Sequence, residues 1–164
     1  MMSEHECINE THTCSDGGKY QGETKNGKHH GQGTKIYPNG AKYEGNWFEG
    51  KRNGKGIMTY SNDDKYIGEF KDGKPSGFGE ILFNDGSCFQ GYLKDGQRHG
   101  KGTIIFPNGT VIIAEFEEDE QIYGEEISKC GKIIRSYYLQ EELIEEIYDP
   151  ISEHWEVHGR NDNP

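Results

Sequence analysis

GNWFEGKR, Gly45 to Arg52, is the stretch whose reading decides the fold. Its spacing, Gly-x-x-x-x-Gly-Lys, is most of a phosphate-binding loop. Such a loop also needs Ser or Thr after the lysine to hold magnesium, and a helix opening toward the phosphates. Here Lys28, Lys51 and Lys74 sit in successive copies of the stretch and are followed by His29, Arg52 and Pro75. Beyond Arg52 the chain alternates like a strand where a helix should begin. Nucleotide binding is therefore set aside, and glycine is read as the residue that turns the chain.

Shifted against itself by 23 residues, the sequence places glycines in columns. Gly22, Gly45, Gly68 and Gly91 align, as do Gly27, Gly50, Gly73 and Gly96, then Gly31, Gly54, Gly77 and Gly100, and Gly33, Gly56, Gly79 and Gly102. Aromatic columns run with them: Tyr20, Tyr43, Tyr66 and Phe89 two residues before the first glycine, and Tyr37, Tyr60, Phe83 and Phe106 near the end of each unit. A third column holds Thr24, Trp47, Phe70 and Leu93. Within a unit the period is two, as in Tyr43-x-Gly45-x-Trp47 and Gly54-x-Gly56-x-Met58-x-Tyr60, so each unit is a pair of strands. Between the strands stand Asn26-Gly27, Glu49-Gly50, Asp72-Gly73 and Asp95-Gly96. Between units stand Asn39-Gly40, Asp85-Gly86 and Asn108-Gly109, with Asn62-Asp63 as the departure. Most of these are dipeptides that tight hairpins favour. Four 23-residue repeats thus occupy residues 19–110 as a meander of hairpins.

Glycine weakens a strand unless something uses the space its missing Cβ leaves, and a ring lying flat on the backbone is such a use. One face is expected to be a floor of rings and glycine, each cross-strand ring pair contributing on the order of 0.5 kcal/mol.

The pattern Tyr-x-Gly-x-(Trp/Phe), then Gly-Lys-x-x-Gly-x-Gly-x-x-x-(Tyr/Phe)-x-(Asn/Asp)-Gly, resembles the MORN (membrane occupation and recognition nexus) repeat. The resemblance implies an all-β, open, single-layer twisted antiparallel sheet of successive hairpins with a groove on its concave face. It implies roles in proteins tied to the cytoskeleton, cilia and flagella, or membrane contact sites. Similar repeats stand beside kinase and lysine methyltransferase domains, but no such domain fits in the 54 residues after the array.

Outside the array, residues 1–18 carry four acids and no Lys or Arg and read as an acidic tail without fixed structure. In residues 111–132 the register continues with Ile112, Ala114 and Phe116 but loses its glycines, which suggests a degenerate fifth repeat acting as a cap. For 133–150 the spacing of Leu139, Leu143 and Ile147, with Ile144 and Tyr148 beside them, predicts a short amphipathic C-terminal helix, capped at Ser136 and ended by Asp149-Pro150. Residues 151–164 read as a flexible tail. The helix is expected to cap the sheet or partly occupy the groove.

At 30% hydrophobic residues and a mean hydropathy of −0.99, the 164-residue chain has little with which to fill a thick core. It has no apolar run near the roughly 18 residues of a membrane span and no leader pattern, so a cytoplasmic location with reduced thiols at Cys7, Cys14, Cys88 and Cys130 is expected. The net charge of −11 divides into −4 for residues 1–18, +4 for 19–110 and −11 for 111–164.

A non-catalytic scaffold is the function these features imply. Tyr43, Trp47, Tyr60, Tyr66, Phe70, Phe83, Phe89 and Phe106 would anchor a helix or extended segment of another protein, since buried aromatics dominate such interfaces. The alternative is an anionic phospholipid surface met by a basic edge of Lys28, Lys51, Arg52, Lys74 and Arg98. Nucleic acid is not expected, given the acidic charge and aromatics committed to the floor. Neither is a small-molecule substrate, a cofactor or a catalytic set; Cys88 shares its column with Lys19, Lys42 and Lys65, a tolerant surface position. His5-x-Cys7 and His12-x-Cys14 hold four soft donors, but they lie in the acidic tail without a structural frame, so no metal site is expected.

Overall fold

The computed structural model describes residues 7–139, 142–150 and 154–159. Among them there are fourteen β-strands and no helix, forming one open antiparallel sheet whose strands follow one another in sequence order. The chain divides into two compact units, residues 1–84 and 85–164.

The first unit holds β1 (Ile8–Thr13), β2 (Lys19–Lys25), β3 (Lys28–Ile36), β4 (Lys42–Phe48), β5 (Lys51–Thr59), β6 (Lys65–Lys71) and β7 (Lys74–Leu82). The two strands within a repeat are joined by two-residue turns in which both residues take positive φ: Asn26 (53°) with Gly27 (70°), Glu49 (49°) with Gly50 (82°), Asp72 (50°) with Gly73 (88°). That geometry matches the right-handed twist of the strands it joins. At the inter-repeat turns Gly40 has φ 88°, and in the copy that lacks glycine Asp63 takes φ 68° in its place. Asp reaches this region more easily than most residues, which is why Asn62-Asp63 breaks the pattern without breaking the turn.

Each repeat carries a slip in register. Gly45 faces Gly56 but Trp47 faces Arg52, and the same shift falls between Gly68 and Phe70 and between Gly22 and Thr24. The slip leaves Asn46 out of the β4–β5 pairing, and the Tyr43 hydroxyl crosses Gly45 to donate to the Asn46 carbonyl at 2.8 Å. Tyr20 does the same to Glu23 (2.7 Å) and Tyr66 to Glu69 (2.8 Å). The ring reaches that carbonyl because nothing stands in its way. A Cβ on Gly56 would lie 2.6 Å from the Tyr43 ring, and one on Gly45 2.8 Å from the Tyr43 hydroxyl. This is what Tyr-x-Gly-x-(Trp/Phe) encodes: a ring seated on two facing glycines, closing the hydrogen bond that the bulge opened.

The second unit holds β8 (Cys88–Lys94), β9 (Gln97–Ile105), β10 (Val111–Glu117), β11 (Glu120–Ile127), β12 (Ile133–Leu139), β13 (Glu142–Asp149) and β14 (His154–Gly159). Its first hairpin repeats the design with Phe89 over Gly91 and Gly102, and β10 adds Phe116 against Phe89, edge to face at 5.6 Å.

Three expectations about the ends of the chain are corrected. The helix placed at 133–150 is instead β12 paired with β13, Ile134 facing Ile147, Arg135 facing Glu146 and Tyr137 facing Ile144. A spacing of four fits a two-residue period as well as a 3.6-residue one, and the Ile and Tyr content favours strand. The acidic segment 1–18 contains β1, paired along its length with β2 from Ile8↔Thr24 to Thr13↔Lys19. The tail after residue 150 contains β14, paired with β13.

Candidate functional site

The expected floor of rings exists, and it is buried by its own members. Alternation puts Tyr43, Gly45 and Trp47 on one face of β4, and Trp47 stands edge-on to Tyr43 at 5.1 Å. Phe70 packs edge-on to Tyr43 at 4.9 Å and to Tyr66 at 5.1 Å. Tyr43 and Phe89 are fully buried and Tyr66, Trp47 and Phe70 nearly so, none more than 5% exposed. Burial pushes the Tyr20, Tyr43 and Tyr66 phenols up to about 12, so all three remain neutral donors. Of the eight aromatics expected to anchor a partner, Tyr60 is 38% exposed, and Phe83 and Phe106 are half-buried.

The basic edge has a different construction from a row of free cations. Lys28 donates to Glu49 of the next repeat at 2.6 Å and Lys51 to Asp72 at 3.0 Å. These bonds hold the Glu49 and Asp72 carboxyls below their ordinary range. Arg52 turns inward over the Tyr43 and Phe70 rings, 5.7 and 5.4 Å from their centroids, and donates to the Gly73 carbonyl. In the second unit Arg98 lies 4.8 Å from the Phe116 centroid and donates to Asp119 Oδ1 at 3.1 Å and to the Asp119 carbonyl at 2.9 Å. Within the first unit the edge therefore stitches one repeat to the next, within the second it stitches the last repeat to the hairpin after it, and Lys74 is engaged as well.

His29 occupies the column of Arg52 and Arg98 and serves the same packing purpose, stacked on Tyr20 at 3.6 Å with Trp47 edge-on at 4.8 Å. Burial among these rings pulls its imidazole down to about 4, so it is neutral at neutral pH.

Behind the ring floor, on the opposite face of the first unit, lies a feature that the sequence reading missed. Ile57, Ile67 and Phe78 point there, 39%, 38% and 60% exposed, around bare backbone at Gly45, Gly56 and Gly68. Together with Gln32, Glu44, Asn46, Lys55 and Glu69 they line an open trough of about 650 Å³. Glu44 is paired with Lys42 at 2.9 Å, which leaves an apolar strip over a main-chain floor. The signal was present in the sequence as Ile57 and Ile67, one residue out of phase with the ring columns.

Glycine pairs under rings, a bulge closed by the tyrosine hydroxyl and cation stitching between copies recur with the 23-residue period. The MORN repeat family model matches residues 20–42, 43–65, 66–88 and 89–111, more than half of the chain. The chain belongs to the MORN repeat family. No curated protein matches it. The four matched copies of this MORN protein coincide with the four ring-and-glycine hairpins, while β1, β10 beyond Val111, and β11 to β14 lie outside them. MORN repeats mediate protein or membrane interaction, and the family is generally a non-enzymatic binding module.

Proposed function

We propose that this MORN protein is a non-catalytic scaffold that seats a helix or extended segment of another protein, and that the seat is the glycine-floored trough on the face opposite the rings. The observation that carries this reading is the contrast in exposure between the faces. Tyr43, Tyr66 and Phe89 have no surface left to offer, whereas Ile57, Ile67 and Phe78 stand out around a floor without side chains. Exposed aliphatic and aromatic side chains grouped around an open stretch of main chain are what an apolar segment buries. The setting we propose for it is a cytoplasmic one, in a cytoskeletal or ciliary assembly. The alternative, an anionic phospholipid surface met by Lys28, Lys51, Arg52, Lys74 and Arg98, loses force because Lys28, Lys51 and Arg98 are already paired with acids.

Proximity labelling in cells tests this with three forms of the full chain: wild type, Ile57→Lys/Ile67→Lys in the trough, and Lys28→Gln/Lys51→Gln on the edge. The proposal expects a shared set of labelled proteins that is lost in the trough variant alone. Identical lists for wild type and trough variant overturn it. Loss in the edge variant alone, with liposome binding that fades as salt rises, establishes the lipid alternative instead.

A further inference from the structure

We infer that His12, Cys14 and His29 form a site for a zinc ion at the N-terminal end of the sheet. His12 lies in β1, Cys14 in the turn after it and His29 at the start of β3, and their donor atoms all fall within 4.8 Å of one another. Among the described residues no other group of three or more His, Cys, Asp or Glu side chains gathers in this way. Cys14 Sγ and His29 Nε2 are 3.8 Å apart. Zinc bonds of about 2.3 Å to sulfur and about 2.0 Å to nitrogen, set tetrahedrally, need donors roughly 3.3 to 3.5 Å apart. Small side-chain rotations close that difference. Glu10 Oε1 lies 3.5 Å from His12 Nδ1, placed as the outer carboxylate that commonly orients a metal-binding imidazole. Three protein donors leave a fourth position open to water or a further ligand.

The repeat separates this arrangement from ordinary packing. β1 stands where the second strand of each later hairpin stands: Cys14 N donates to Gly18 O at 2.7 Å as Tyr37 N donates to Ala41 O at 2.8 Å, and Asp16-Gly17 turns the chain where Asn39-Gly40 does. Counting by 23, Cys14 stands in the column of Tyr37, Tyr60, Phe83 and Phe106. His12 stands in the column of Lys35, Met58, Ile81 and Ile104, and His29 in that of Arg52, Pro75 and Arg98. None of the other copies puts a histidine or cysteine in any of these columns. His29 stacks on Tyr20, and His12 lies 5.5 Å from both rings, so packing accounts for two flat side chains but not for a thiol gathered with both imidazoles. Beside them, Thr24 replaces the bulky Trp47, Phe70 and Leu93 of the later copies.

The same columns supply variants that keep the fold. Full-length protein, purified under reducing conditions, is titrated with Zn²⁺ against a chromogenic chelator and separately with Co²⁺, with folding followed by circular dichroism. The site predicts one equivalent of zinc per chain and a near-ultraviolet thiolate-to-cobalt band. His29→Arg and Cys14→Tyr install residues that later copies carry. Each should fold, lose the cobalt band and weaken zinc by more than the roughly 10- to 100-fold that loss of an outer partner costs. Glu10→Gln should weaken it within that range, and Cys7→Ser should leave it unchanged. Absence of stoichiometric zinc in the wild type, zinc retained by folded His29→Arg, or loss in Cys7→Ser with retention in Cys14→Tyr overturns the site.

Discussion

The repeats of residues 1–84 and the strands of residues 120–159 are both antiparallel meanders, yet they are built by different means. In the repeats glycine faces glycine, Gly45 with Gly56 and Gly68 with Gly79, and a tyrosine ring lies over each pair. In the later strands ordinary side chains meet across the ladder: Ile134 with Ile147, Tyr137 with Ile144, and the Tyr137 hydroxyl donating to Glu146 at 3.1 Å. Arg135 donates to Glu125 at 2.7 Å and lies 4.3 Å from the Trp155 centroid. A meander therefore has no intrinsic need of glycine. The glycine columns serve the rings, which give a sheet one layer thick a dry face without a second layer.

The largest break in that comparison should come from removing a ring. Tyr66→Ala should cost about 4 kcal/mol, read as a shift of the urea midpoint, because a fully buried aromatic is lost from both of its glycine seats. A cost under about 1 kcal/mol would mean that the rings merely decorate the ladder.

Filling a seat should come next. Gly56→Ala drives a methyl against the Tyr43 ring and should cost about 2 kcal/mol. Gly124 is the contrasting glycine of the later strands, where a methyl would meet the flexible end of Gln121 and, at 3.3 Å, the Ala114 Cβ. Gly124→Ala should stay within about 0.5 kcal/mol of wild type, because the side chain can move aside and alanine lowers the entropy of the unfolded chain. Equal costs for the two substitutions would erase the distinction between the regions.

Removing only the hydroxyl is a smaller step. Tyr43→Phe should cost about 1 kcal/mol through the Asn46 carbonyl it leaves unpaired, with the strand pairing intact as Phe89 keeps it in the fourth copy. Smallest is the edge: Lys51→Gln should change the midpoint by less than about 0.5 kcal/mol, since the Lys51–Asp72 pair is exposed to solvent.

Where the sequence was legible, one residue type met one physical need at a fixed interval. Glycine at 27, 50, 73 and 96 reports positive φ, and Tyr-x-Gly reports a ring over bare backbone, so turns and strands could be counted before any coordinates. The helix reading at 133–150 failed because no glycine or turn dipeptide marks Gln140-Glu141, and a spacing of four leaves the period undecided. β1 is hard to read because Ile8 and Glu10 stand where later copies carry Gly31 and Gly33, and only Asp16-Gly17, repeating Asn39-Gly40, marks its turn. Site residues were harder to read. A column states which face a side chain takes but not what covers it, so Tyr43 reads as an anchor for a ligand and Ile57 goes unremarked until exposure separates them. The Lys28–Glu49, Lys51–Asp72 and Arg98–Asp119 pairs do share a spacing of 21, a regularity hidden by reading the cations without the acids. His29 could join His12 and Cys14 only through the pairing of β1 with β2 and β2 with β3.

The central claim is tested most directly by a double-mutant cycle between Tyr43 and Gly56 in urea unfolding. If glycine is present to seat the ring, Gly56→Ala should cost about 2 kcal/mol in the wild type and less than about 0.5 kcal/mol in a Tyr43→Leu background, where the ring is gone. The same cost in both backgrounds would contradict it, and glycine at position 56 would then answer to the backbone alone.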